Sequence, residues 1–345
     1  VYECTLCGAC DMGCKRNLDL ERLLMLESLR ARIVEKGYGP LPEHEERTRN
    51  IEEKANPFGE EPAKRLGWIP KDVTPAKTAE LLYFPGCRAS FIDTELSQAM
   101  VRILNEANVP FMVMKEEPCC GHFIYTTGQV EKARKMATEN IKMFRETGAK
   151  TVMCNCSQCY KTIKVDYPKL LGFSTSDLGF GVMHTVELVD KLVKDGTLKL
   201  KSRVEMKVTY HDPCNLGRLS EPWSHWEGTR GEWGLLEPTR EFRRGINGVY
   251  EPPRDILKAI PGIELVEMFR HHENAWCCGS DAGVKEAFPE LALWAAGERL
   301  REAASVGAEA LVSCCPQCQA NFRDAARDGI KVYDLTELVA RAIGK

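Results

Sequence analysis

From Ala79 to the C-terminus, short apolar runs alternate with longer stretches whose apolar residues recur every three or four positions. Leu81 to Phe84, Phe111 to Met114 and Thr151 to Met153 predict strands, with helices near Thr94 to Asn105 and Glu131 to Glu146 between them. The pattern then recurs, with strands at Val204 to Tyr210, Glu264 to Met268 and Ala310 to Ser313 and helices near Arg254 to Ala259 and Pro289 to Ala304. Such alternation implies α/β units around parallel sheet, and sheets of that kind bind ligands beyond the carboxyl ends of their strands. The N-terminal stretch reads differently. A helical pattern from about Asn17 lines Leu20, Leu23, Leu24, Ala31 and Val34 along one face and stops at Gly37, Gly39, Pro40 and Pro42. Beyond it, Glu43 to Lys54 is charged and Asn56-Pro57-Phe58-Gly59 is turn-rich, which predicts a surface connector.

With 43% apolar and 28% charged residues, the 345-residue chain has ample material for a core in two or three domains. A net charge of −3, with basic and acidic residues interspersed, gives no general attraction to nucleic acid. No run approaches the ~20 apolar residues that a bilayer-spanning helix needs, so membrane contact is expected only through a partner. The chain starts at Val1 rather than Met, which leads us to expect further sequence upstream.

The sixteen cysteines change this picture. Ten fall into two copies of one pattern: Cys87, Cys119-Cys120-Gly121 and Cys156-x-x-Cys159, then Cys214, Cys277-Cys278-Gly279 and Cys315-x-x-Cys318. Gly148-Ala149 precedes Cys156 by the same offset at which Gly307-Ala308 precedes Cys315, and Thr185-Val186-Glu187-Leu188-Val189 is echoed by Thr336-Glu337-Leu338-Val339. The chain is therefore read as a duplication, with halves at 79–200 and 201–345 expected to pack about a pseudo-twofold axis. Residues 1–36 form a separate module. There Cys4, Cys7, Cys10 and Cys14 follow C-x-x-C-x-x-C-x-x-x-C, the spacing with which bacterial ferredoxins hold a cubane 4Fe-4S cluster. Only Cys154 and Cys314 are left over.

Three readings compete for the repeated set. Structural disulfides suit small secreted domains rather than a chain of this length, and adjacent cysteines are poorly placed to bridge. Zinc takes four ligands around one ion, and each copy offers five. A multi-iron cluster gives each sulfur a different metal atom, which makes iron–sulfur the leading reading. Thiols at this density used as ligands imply a reducing, anaerobic cytoplasm.

The residues Tyr83-Phe84-Pro85-Gly86-Cys87, Cys119-Cys120-Gly121, His211-Asp212-Pro213-Cys214, Glu273-Asn274-Ala275-Trp276-Cys277-Cys278-Gly279 and Cys315-Pro316-Gln317-Cys318 resemble a known family. It comprises the catalytic subunits of heterodisulfide reductases and the related cytoplasmic iron–sulfur subunits of membrane complexes in sulfate reducers, built on duplicated cysteine-rich (CCG) domains. The resemblance covers essentially the whole chain. It implies an α/β fold of two CCG halves preceded by a small helical ferredoxin-like module. It also implies a noncubane 4Fe-4S cluster in each five-cysteine set, one iron of which can bind a substrate sulfur. The implied activity is reduction or formation of a disulfide on a small thiol or a small partner protein. Electrons would come from a membrane quinone-reactive or other electron-transfer subunit, which would hold the chain at the inner face of the membrane. The alternative is a non-catalytic electron wire between partners. Two departures from the family pattern stand out. Lys15 follows Cys14 where a proline is usual, with no second cysteine run, so a further cluster would need cysteines upstream; and Ser280-Asp281-Ala282-Gly283 replaces a glycine-rich segment, which is expected to alter substrate access.

Other residues carry weaker signals. His122, directly after the first Cys-Cys-Gly, is placed to give a proton to a departing thiolate, against the competing reading of an ordinary hydrogen-bonded histidine. His211 is read as an anchor of its ligand loop. Gly121 and Gly279 are expected to let backbone pass close to a cluster, and Arg88 and Arg218 to offset its negative charge. The second half inserts about thirty residues between Cys214 and Cys277, with Trp223, Trp226, Trp233, Arg230, Arg240, Arg243 and Arg244; such enrichment suits a protein interface or a loop packed on its own domain.

Overall fold

The computed structural model describes residues 1–14, 21–221, 227–238, 245–326 and 329–344. The Cys14 side chain, Lys15, the expected helix start at Asn17 and Leu20, and Trp223, Trp226, Arg240, Arg243 and Arg244 lie outside them.

In the first half, strands β1 (Leu81–Phe84), β2 (Thr151–Cys154) and β3 (Gly181–His184) form a parallel sheet in that order. In the second half, β4 (Met206–Tyr210) precedes a short antiparallel hairpin of β5 (Thr229–Arg230) and β6 (Leu236–Glu237). Strands β7 (Ile263–Leu265), β8 (Ala310–Ser313) and β9 (Lys331–Asp334) complete a parallel sheet of order β7-β4-β8-β9. Phe111 to Met114 makes only a single parallel bridge, Met112 to Leu82. Pro110 has no N–H to donate, which stops the ladder there. The strands β3 and β9 escape a reading by periodicity because each holds only two apolar residues, Val182-Met183 and Val332-Tyr333, between glycine or polar positions.

β3 and β9 each lead into a helix through a capping box. His184 accepts from Val186 N and Glu187 returns a bond to His184 N; Asp334 and Glu337 do the same ahead of Leu335–Ala342. The repeated Glu-Leu-Val is thus the sequence trace of a repeated cap. Helix Val130–Glu146 buries Ala133, Ala137, Ile141 and Phe144 along one stripe and exposes its charges on the other face.

The halves exchange helix contacts reciprocally. Helix Thr185–Lys194, the last of the first half, packs on Glu251–Ala259 of the second. Leu335–Ala342, the last of the second, packs on Thr94–Glu106 of the first. This is the pattern that a pseudo-twofold axis produces, and it sets the carboxyl ends of both sheets against one another: Ser157 Oγ of one half donates to Cys314 O of the other at 3.1 Å.

The connector departs from expectation. Pro42–Lys54 is a helix with proline at its start and Glu43 and Glu45 in its first turn, where they offset the helix dipole. It buries His44, Thr48 and Ile51. His44 Nε2 lies 3.0 Å from Gly283 O in the second half, while Thr48 accepts from Gln129 Nε2 in the first. Most of these contacts are polar, so the segment shows no apolar stripe to read. Trp68, further along, is buried edge-on against Tyr83.

Candidate metal centre

The cysteines gather where the strands end. Cys154 closes β2, and Cys87, Cys156, Cys214 and Cys315 sit just past β1, β2, β4 and β8. Gly86 adopts φ +79°, and a Cβ there would lie 3.0 Å from Cys159 Sγ, so only glycine lets the Cys87 turn close on the C-x-x-C pair. The glycines after the double cysteines also let a helix pack closely on their backbone. A Cβ on Gly279 would meet Ala292 O at 2.5 Å, and one on Gly121 would meet the Met136 side chain at 3.3 Å. Their N–H groups donate to Cys277 Sγ and Cys119 Sγ.

The sulfurs form a continuous row, buried except at partly exposed Cys87 and Cys277. Cys87 is within hydrogen-bonding reach of Cys119, Cys119 of Cys120, Cys120 of Cys159 and Cys159 of Cys156. Cys156 then reaches across the pseudo-axis to Cys315. From there the row runs through Cys318, Cys278 and Cys277 to Cys214. Cys7 of the N-terminal module, a free thiol, interacts with the thiol of Cys277, whose Sγ also lies 3.3 Å from Thr5 Oγ1. Cys4 and Cys10 interact electrostatically with Cys7, which brings the described part of the N-terminal run to the second set. Cys154 and Cys314 stand outside the row; Cys314 Sγ meets the Tyr210 hydroxyl at 3.2 Å.

Charge along the row is uneven. Bonds from Cys119 and Cys159 hold Cys120 down to about 5, whereas the bond to Cys120 pushes Cys119 up to about 12. Cys156 and Cys278 are held well down by paired sulfur neighbours in the same way. A thiolate is the form that binds metal, and the protein offers few positive charges to let every sulfur ionise at once. Five converging sulfurs per set exceed what one tetrahedral zinc takes and match a multi-iron group.

Two buried arginines approach the row. Arg218 does so as expected, its Nε donating to Cys7 O at 2.6 Å and its Nη1 to Glu273 O and Ala275 O. Arg88 lines the cavity beside the first set but pairs with Asp93 at 2.5 Å. Arg65 from the connector comes to the sulfur itself, with Nη2 3.8 Å from Cys87 Sγ and Nη1 2.9 Å from Glu117. Nothing in the local sequence marks Arg65.

His122 is buried with both ring nitrogens occupied, Nδ1 by Thr162 Oγ1 and Nε2 by Asp281 Oδ1, each at 2.8 Å. Thr162 opens a π-helical turn, Thr162–Asp166, directly after the short helix Ser157–Lys161 that carries Cys159; such turns recur at functional sites. Asp281, in the segment that departs from the family pattern, also accepts from Gln158, Asn215 and the Ala282 N–H. Burial alone would raise its pKa, but the His122 charge and these bonds hold it at about 2. A cavity of about 60 Å³ opens beside the pair. All five cysteines of the first set and His122 line it, with Arg47, Arg88 and residues 280–283, whereas no cysteine of the second set does. In the inserted loop, Trp233 is 85% exposed.

The cysteine-rich (CCG) domain model matches residues 81–164 and again 239–323. Over its full length the chain is 36% identical to one of the subunits of the dihydromethanophenazine:CoB–CoM heterodisulfide reductase of Methanosarcina mazei, covering 78% of that protein. It is 28% identical, over 99% of its length, to one of the subunits of the fumarate reductase (CoM/CoB) of Methanothermobacter marburgensis (61% of that protein) and to the EtfAB:quinone oxidoreductase of Syntrophomonas wolfei (46%). A hypothetical protein from Helicobacter pylori shares the fold at 10% identity, with a TM-score of 0.53 over 82% of this chain and 53% of that one.

Proposed function

This chain belongs to the heterodisulfide reductase family that is built on duplicated CCG domains, and from that premise we propose that it reduces, or in reverse forms, a disulfide on a small thiol or a partner protein. Its coarser role is that of an iron–sulfur oxidoreductase subunit that works with electron-transfer partners. Cys87, Cys119, Cys120, Cys156 and Cys159 would hold one noncubane cluster, Cys214, Cys277, Cys278, Cys315 and Cys318 a second, and Cys4, Cys7, Cys10 and Cys14 a cubane. Bound there, such clusters supply one-electron storage and an iron that can take a substrate sulfur.

The observation that carries the reading is the asymmetry of the row. The second set abuts the N-terminal module through Cys7 and Cys277, while the first lines the cavity. The order module, second set, first set, cavity therefore runs from electron entry to substrate. Cleaving a disulfide takes two electrons and two protons to give two thiols. His122, held by Thr162 and Asp281 in the cavity wall, is the side chain placed to pass a proton to a departing thiolate. No described helix is long and apolar enough to cross a membrane, and we place the chain in the cytoplasm, attached to the inner face through a quinone-reactive subunit.

The test is spectroscopic. Two five-cysteine sites and one cubane predict about twelve irons in the anaerobically purified chain. A substrate thiol added to the oxidised protein is expected to change the paramagnetic signal of a five-cysteine site and leave the cubane signal alone. His122→Ala should slow disulfide turnover at unchanged iron content. Full iron with spectra indifferent to saturating thiol, alongside normal electron transfer to a partner, would replace this reading with that of a wire.

A further inference from the structure

The second five-cysteine set has a neighbour that the first lacks. His211 follows β4 three residues before Cys214, where the first half carries Phe84 three residues before Cys87. His211 is 1% exposed, and its ring meets Phe322 edge-on at 4.8 Å. A ring nitrogen of His211 and the Sγ atoms of Cys278 and Cys318 all lie within 4.8 Å of one another.

The hydrogen bonds fix which nitrogen carries the proton. Buried Arg299 donates from Nε to His211 Nδ1 at 3.2 Å, and its own place is locked by Nη1 bonds to Arg270 O and Glu302. A guanidinium has donors only. Nδ1 must therefore present its lone pair, which puts the ring proton on Nε2. Among the described residues Nε2 has no partner, although a buried N–H left unpaired is costly. With its proton held there, Nε2 has no lone pair for a metal. It can only donate.

We propose that His211 Nε2–H donates a hydrogen bond to a sulfur of the group held by Cys214, Cys277, Cys278, Cys315 and Cys318, and that Arg299 enforces this by occupying Nδ1. The inference rests on reading that set as an iron–sulfur site. Hydrogen bonds to sulfur are among the protein's controls on cluster potential. A donor favours the more negative, reduced state, so the second site gains a raised potential that Phe84 denies the first. His211 is a positioning residue; it need not touch substrate.

The experiment is a redox titration followed by electron paramagnetic resonance on the full chain, with iron analysis. His211→Phe, which copies the first half, is expected to keep its iron and shift one five-cysteine signal to lower potential. The shift should amount to about tenfold in the reduced-to-oxidised ratio at fixed potential, or about 59 mV for one electron, with the cubane signal unmoved. His211→Gln restores an N–H donor and should recover most of the shift. A hyperfine coupling from an exchangeable proton should appear in the wild type and the Gln variant and vanish in the Phe variant. Iron lost from that site in the Phe variant and retained in the Gln variant would equally support a donor. An unmoved potential at full iron content in His211→Phe would overturn the assignment, as would iron loss in both variants. Zinc in place of iron in the wild type would instead fail the underlying cluster reading before any variant is compared.

Discussion

Arg30 ties the N-terminal module to both halves of the chain. It is fully buried, and its guanidinium donates to four carbonyls: Val1 at 3.1 Å and Cys4 at 2.5 Å in the module, Thr126 at 2.6 Å in the first half and Ala282 at 2.9 Å in the second. The Tyr2 ring covers it at 4.9 Å. Arg30→Met keeps an unbranched apolar stem and removes every donor. Bonds to a charged group contribute about 1.5–3 kcal/mol each; the two that leave the module, to Thr126 O and Ala282 O, therefore give a loss of about 3 kcal/mol at the lower end of that range. That corresponds to about a hundredfold in the local opening equilibrium. Hydrogen exchange on the anaerobic protein should therefore show faster exchange in residues 1–14 and in helix Arg22–Glu35, with β2 and β8 still protected. Unchanged protection in the module would refute the role given to Arg30, and an equal loss across both sheets would refute its being local.

Ligand substitutions should separate the sites. Cys278→Ala or Cys315→Ala is expected to remove the signal of one cluster and spare that of the N-terminal module, whereas Cys314→Ser, outside the sulfur row, should retain full iron; iron analysis and paramagnetic resonance read both. Gly86→Ala adds a methyl 3.0 Å from Cys159 Sγ at a φ of +79°, a strain of about 1–3 kcal/mol, and should deplete iron from the first set while the second keeps its signal. Equal depletion of both sets would show that Gly86 acts on the whole fold.

Sequence spacing alone determined much of this protein. The two five-cysteine patterns, the duplication and the α/β alternation are all local or periodic properties, so they were legible before any packing was known. The positions of β1, β2, β4, β7 and β8 followed within a few residues. Other features depend on which distant segments meet. The Pro42–Lys54 helix was hidden because its buried side is polar, with His44 and Thr48 paired to partners more than eighty residues away. Arg65 reaches Cys87 from that connector and Asp281 reaches His122 across the pseudo-axis, and in neither case does the neighbouring sequence carry a sign of the partner. Arg88, adjacent to a cysteine in sequence, turned instead to Asp93. Spacing groups the cysteines within each motif because a Cys-Cys-Gly or C-x-x-C turn delivers its own residues together. The charges and protons around those cysteines come from the packing of separate elements, which only the tertiary structure decides.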